Sequence, residues 1–132
     1  MFNTLRRRRK PLTPLEQLVM DFVWSHPGCT AEACREGIAS ERPLKDSTIR
    51  TILRNLEEKG YAAHEVDGRT FVYRPLDTPR NVAAQGAQQL IERFCGGSVE
   101  DFLVGMVDNQ VLDPKQLQRL AEKIASRKEK KG

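Results

Sequence analysis

Cysteine is scarce in this 132-residue chain, with Cys29, Cys34 and Cys95 the only three. Three scattered thiols build no disulfide framework and fit a reducing compartment. Histidine is scarcer still, and His26 and His64 complete no zinc-ligand spacing with those cysteines, so no metal and no cofactor is expected. No stretch approaches the roughly 18 continuous apolar residues of a spanning helix. The early positive residues are not followed by an apolar run of about 7–15 residues, the core of a secretory signal. A cytoplasmic protein without membrane insertion is the expectation. Neither G-x-x-x-x-G-K-[ST] nor G-x-S-x-G is present, and no Cys/His/Asp set offers a nucleophile with its base, so an enzyme is not expected. Aromatic residues make up only 6%, and Phe22, Trp24 and Tyr61 are assigned to a small core.

What the chain does have is localised positive charge. Its net charge is +4, and five of its positive residues stand in one run, Arg6 to Lys10, leaving the rest close to neutral. That distribution favours an arm that touches a polyanion. Residues 1–11 lack apolar periodicity and read as a mobile basic N-terminal arm.

The pattern turns helical at Thr13. Thr13, Pro14 and Glu16 form a capping box with proline in the first helical position. Leu15, Leu18, Val19, Phe22 and Val23 recur at helical spacing until Pro27-Gly28. A second helix is expected over Thr30–Ser40. A third, capped by Asp46 or Ser47, runs to Lys59 with Gly60 just past its end. Tyr61–Val66 and Arg69–Arg74 then flank Asp67-Gly68, the chemistry of a two-residue type I′ hairpin, which sets His64 opposite Phe71 and Ala62 opposite Tyr73. A linker is expected over Leu76–Pro79. Three further helices follow: Arg80–Phe94, one opened by Ser98 and Asp101, and one opened by Asp113-Pro114 with Leu117, Leu120 and Ile124 in a stripe. This last half is too short to bury a core by itself and calls for a second copy. The fold expected is mainly α with a small β-hairpin, a winged helix-turn-helix over 12–78 followed by a helical dimerisation domain over 79–132.

The third helix carries the functional signal. At about 100° per residue from Ser47, Ile49, Ile52, Leu53 and Leu56 fall at about 140–240°, while Ser47, Arg50, Thr51 and Arg54 cluster within about 60° of zero. Guanidinium groups read guanine edges, hydroxyls reach phosphates, and a helix N-terminus attracts anions. Asp46 is the one local carboxylate that opposes DNA. Arg69 leaves the wing tip, where it reaches a phosphate or the minor groove, and Arg6–Lys10 are placed to reach the adjacent groove or backbone. The candidate DNA contacts are Lys45, Ser47, Thr48, Arg50, Thr51, Arg54, Asn55 and Arg69. Each cysteine reads as a small buried residue, although Cys29 stands beside a helix start that can lower a thiol's pKa.

The segments Leu12–Glu16 through Phe22-Val23-Trp24, Ser47–Leu56 with Lys59-Gly60, and Gly68–Tyr73 resemble the penicillinase-repressor family (BlaI, MecI and CopY). The resemblance covers roughly residues 12–126. It implies a homodimeric repressor on a dyad-symmetric double-stranded DNA operator, with entwined C-terminal helices. It also carries DNA contact onto Thr48, Thr51 and Arg69. Arg54 and Asn55, with Ser47 and Arg50, depart from the family pattern and bear on which operator is read. The resemblance further implies release by a sensor-protease pathway, yet the family's Asn-Phe cleavage bond is matched here by Gly105-Met106. The paired C-terminal cysteines of the copper-responsive branch are absent from residues 113–132. The competing function is a winged helix used as a protein-interaction module, which predicts weak, salt-sensitive and unspecific DNA binding.

Overall fold

Thr13 starts the first helix as its neighbours dictate: its hydroxyl accepts the Glu16 amide at 3.2 Å, and the Glu16 carboxylate accepts the Thr13 amide at 2.9 Å. In this computed structural model, which describes residues 8–131, that box opens α1 (Pro14–Ser25). The Thr30 hydroxyl accepts the Ala33 amide at 3.0 Å and opens α2 (Ala31–Ile38), shorter than the span expected from sequence. α3 (Asp46–Glu58) follows. It ends in a Schellman motif: Gly60 at φ +84° donates to Glu57 O, and Tyr61 N–H donates to Leu56 O.

The wing is one antiparallel pair, β1 (Ala62–Asp67) and β2 (Thr70–Pro75). Its register corrects the expected one. Asp67 pairs with Thr70, His64 with Tyr73 and Ala62 with Pro75, so the two loop residues are Gly68 and Arg69. Gly68 has φ +67°, whereas neither Asp67 nor Arg69 is left-handed. Positive φ at the first central residue alone is the type II′ requirement; type I′ would need it at two. The shift keeps every side chain on its expected face, so His64 still stacks on Phe71, now diagonally. The turn between α1 and α2 adds a further rung, with Tyr73 N–H donating to Cys29 O and Gly28 N–H to Tyr73 O, both at 2.8 Å.

The apolar stripes of the three helices meet at Val19, Met20, Val23, Cys34, Ile38, Ile49, Leu53 and Leu56, closed from the wing side by Tyr61, Ala62 and Tyr73. Leu76–Pro79, expected as a linker, is tied down. Trp24 Nε1 donates to Asp77 O at 2.8 Å, and Leu76 N–H donates to Tyr61 O at 2.9 Å. Asp77 also accepts from the Asn81 side chain at 2.7 Å, and the Thr78 hydroxyl caps the start of α4 (Pro79–Phe94). Val82 on α4 packs against the core.

The chain divides into two compact units at Gly86–Ala87, inside α4. The second contains the rest of α4, α5 (Val99–Asp108) and α6 (Pro114–Lys131). Ser98 caps α5, but none of that helix's residues is buried. Leu90, Phe94, Val99, Val104, Leu120 and Ile124 are exposed.

Candidate nucleic-acid interface

α3 separates its faces as its sequence requires. Ile49, Ile52, Leu53 and Leu56 are buried, and Ser47, Arg50, Thr51 and Arg54 are exposed. Thr48 and Asn55 are half-buried along the edges of that outward face. Lys45, exposed, occupies the N-cap and makes no side-chain cap bond, which corrects the cap expected from Asp46 or Ser47. The leading amides of α3 therefore have no side-chain acceptor, the condition under which a helix start receives an anion.

Asp46, the carboxylate that opposed DNA contact, accepts from Arg50 Nε at 2.8 Å. Both side chains are more than half exposed, so the pair adds little stability. Its hydrogen bond and charge nonetheless raise the Arg50 pKa above the ordinary guanidinium value. The Thr51 hydroxyl donates back to Ser47 O at 3.0 Å, fixing its rotamer.

Arg69, at the wing tip, meets Arg50 across an open cleft of about 540 Å³, lined also by Thr30, Ala31, Glu32, Thr70 and Phe71. Of the eight sequence candidates, the cleft unites Arg50 and Arg69; the others lie along α3. Thr30 and Thr70 add hydroxyls that sequence reasoning missed, because no local pattern places a helix cap beside a wing tip.

The wing is fixed to α3 by His64. Its Nδ1 lies 2.7 and 2.9 Å from the two Glu57 carboxylate oxygens, and its ring stacks on Phe71 at 4.0 Å. Tyr73, 5.7 Å away, has its phenol pKa raised by burial and by the Glu57 charge. The other end of the domain is held by Lys59, whose Nζ donates to Glu16 Oε1 at 2.6 Å and to Pro11 O at 3.0 Å.

The basic arm behaves differently from expectation in its described part. Arg6 and Arg7 lie outside the described residues. Arg9 turns inward: it donates to Gly60 O at 2.8 Å, Asp77 at 3.3 Å and Gln85 Oε1, and lies 5.6 Å over the Tyr61 ring. The Tyr61 hydroxyl donates to Lys10 O at 2.6 Å. Arg9 is thus a structural pin, while Arg8 and Lys10 remain exposed. Among the described residues, no group of three or more His, Cys, Asp or Glu is placed to hold a metal, and no helix is long and apolar enough to cross a membrane.

Against known proteins, the penicillinase repressor family profile matches residues 12–126. An uncharacterised 16.5 kDa protein of Latilactobacillus sakei is 31% identical over 112 residues, covering 83% of this chain and 77% of that one. The methicillin resistance regulatory protein MecI of Mammaliicoccus sciuri is 22% identical over 109 residues, covering 83% and 89%. In structure, the chain resembles the hsRosR-S4 complex of H. salinarum at a TM-score of 0.50, with 14% identity and 93% and 95% coverage, a likeness of fold.

Proposed function

The chain belongs to the penicillinase repressor family, and on that premise we propose how this DNA-binding transcriptional repressor engages its operator. It binds as a homodimer to a dyad-symmetric site and blocks the promoter sterically, with one α3 in each of two major grooves about 34 Å apart. The observation that carries this reading is the cleft that sets Arg50 of α3 against Arg69 of the wing tip. A duplex entering there meets guanidinium groups from two elements at once.

Arg50 and Arg54 read base edges, with Ser47 and Thr51 beside them. Lys45, Thr48 and Asn55 contact the flanking backbone, and Arg69 reaches the phosphates or minor groove next to the recognised step. The second copy covers the exposed apolar residues of α4, α5 and α6, a stripe too apolar to be left to water. The repressor works in the cytoplasm, and release follows cleavage through a sensor-protease pathway. Gly105-Met106 lies inside α5, so cutting there requires that helix to open.

The test is anisotropy on labelled duplexes from upstream of the protein's own gene and on scrambled duplexes, at low and physiological salt. One duplex should bind tightly at physiological salt, with two symmetric half-sites protected. Arg54→Ala should lose about 1–3 kcal/mol on that operator and little on scrambled DNA. Arg69→Ala should weaken both and lower the salt slope by about 1. Equal, weak binding to every duplex that vanishes with salt would overturn the operator reading and leave an interaction module.

A further inference from the structure

Cys29 and Cys34 stand five residues apart on either side of a helix start, and their Sγ atoms are 3.5 Å apart. With Thr30 as the N-cap of α2, Cys29 is the residue before the cap and Cys34 is the fourth helical residue. Those are the two positions that a hydrophobic staple brings together, normally with aliphatic side chains. Here both members carry sulfur. The backbone fixes each side: Cys29 through its bond from Tyr73 N–H, Cys34 through its amide bond to Thr30 O at 3.0 Å. Cys34 is fully buried, and Cys29 keeps 7% of its surface open to solvent.

We propose that Cys29 and Cys34 form a two-thiol oxidation site that closes into an intrachain disulfide when a hydroperoxide reaches it. The geometry assigns the roles. Cys29, the partly open member, is the attacking thiolate, and the Cys34 S–H is its hydrogen-bond donor. That hydrogen bond lowers the Cys29 pKa against the opposing effect of burial, and the same contact together with burial raises Cys34. The Cys29 sulfur attacks one oxygen of the hydroperoxide; an S–O bond forms, the O–O bond breaks, and the alcohol or water leaves after taking a proton. The Cys34 sulfur then attacks the sulfenic sulfur; the S–S bond forms, the S–O bond breaks, and hydroxide leaves with the Cys34 proton as water. Two thiols lose two electrons, and the hydroperoxide accepts them.

Closing the bond brings the sulfurs from 3.5 Å to about 2.05 Å, a movement within the reach of side-chain rotation. The product is a covalent staple at the start of α2, beside the β2 rung and the core under α3. It requires no second protein molecule. Cys95, half-exposed at the end of α4, is a separate thiol.

The full-length reduced protein is treated with hydrogen peroxide, alkylated under denaturing conditions and mapped by peptide mass spectrometry. The expected result is a Cys29–Cys34 disulfide in the monomeric chain, Cys95 still alkylated, and a higher melting midpoint that reductant reverses. Cys34→Ser, whose hydroxyl keeps a donor beside Cys29, should trap a dimedone-reactive sulfenic acid at Cys29, and Cys29→Ala should leave Cys34 unlabelled. Alanine keeps a small apolar side chain in the staple, and circular dichroism checks that each variant folds. Cys95→Ala, outside the winged helix, must still form the same disulfide. Oxidation confined to Cys95, a chain-to-chain disulfide, or peroxide-resistant thiols at 29 and 34 in both wild type and Cys95→Ala would overturn the proposal. No readout involves DNA, so failure here leaves the repressor reading standing.

Discussion

Glu16 is only 5% exposed, yet its carboxyl is held below its ordinary pKa of 4.5. Burial alone pushes it up; hydrogen bonds from Lys59 and Thr13, with the Lys59 charge, outweigh that effect. A carboxyl depressed in the fold contributes stability that is complete above its unfolded value and lost as pH falls through the folded one. Urea midpoints should therefore fall as pH drops below about 4.5, and Glu16→Gln should flatten that part of the slope. An equal acid slope in both proteins would remove Glu16 from the account. Gly37 poses a different contest. A Cβ there would lie 2.0 Å from Phe22 Cε1, so alanine's helix preference of about 1 kcal/mol meets an overpacking cost of about 1–3 kcal/mol. Gly37→Ala should lower the melting midpoint, and Phe22→Leu should recover part of the loss. The capping box was legible because Thr13 and Glu16 are local, as was the exposure of Arg50 and Arg54. The bond from Lys59 to Glu16 was not, because nothing in either segment specifies a partner 43 residues away.

At the scale of elements, the wing separates what a pattern specifies from what it leaves open. Asp67-Gly68 signals a hairpin, but Gly68 can supply positive φ as either central residue, and the two choices move the loop by one residue and every cross-strand partner by two. The observed turn puts the demand on Gly68 alone. Gly68→Ala, with open space around its Cβ, should cost about 1–2 kcal/mol from backbone strain. Asp67→Ala should stay within about 0.5 kcal/mol. A comparable loss for both in thermal melts would restore the type I′ register. The α3 stripe was legible for the opposite reason: four apolar residues on one arc leave a single way to bury the helix. The inward turn of Arg9 was hidden, since a run of like charges reads as solvated until an acceptor such as Gly60 O is brought to it.

For the whole molecule, the compact units divide inside α4, between Gly86 and Ala87 and not in the expected linker at Leu76–Pro79, because Asp77 and Thr78 are spent on helix initiation and on Trp24. A chain ending at Gly86 keeps Val82 in the core and Gln85 on Arg9; one ending at Thr78 loses both. The longer form should sediment as a folded monomer while the full chain is a dimer, and the shorter should melt at lower temperature. A dimer from residues 1–86 would relocate the interface. The chain's one tryptophan adds a way to watch this. Trp24 is half-buried with its indole N–H on Asp77 O, so its emission colour reports the first unit. Far-ultraviolet dichroism counts helix in both. Superimposed melting curves from the two signals would mean that the units unfold as one cooperative body, and a helical loss preceding the red shift of the indole would mean that the second unit lets go first.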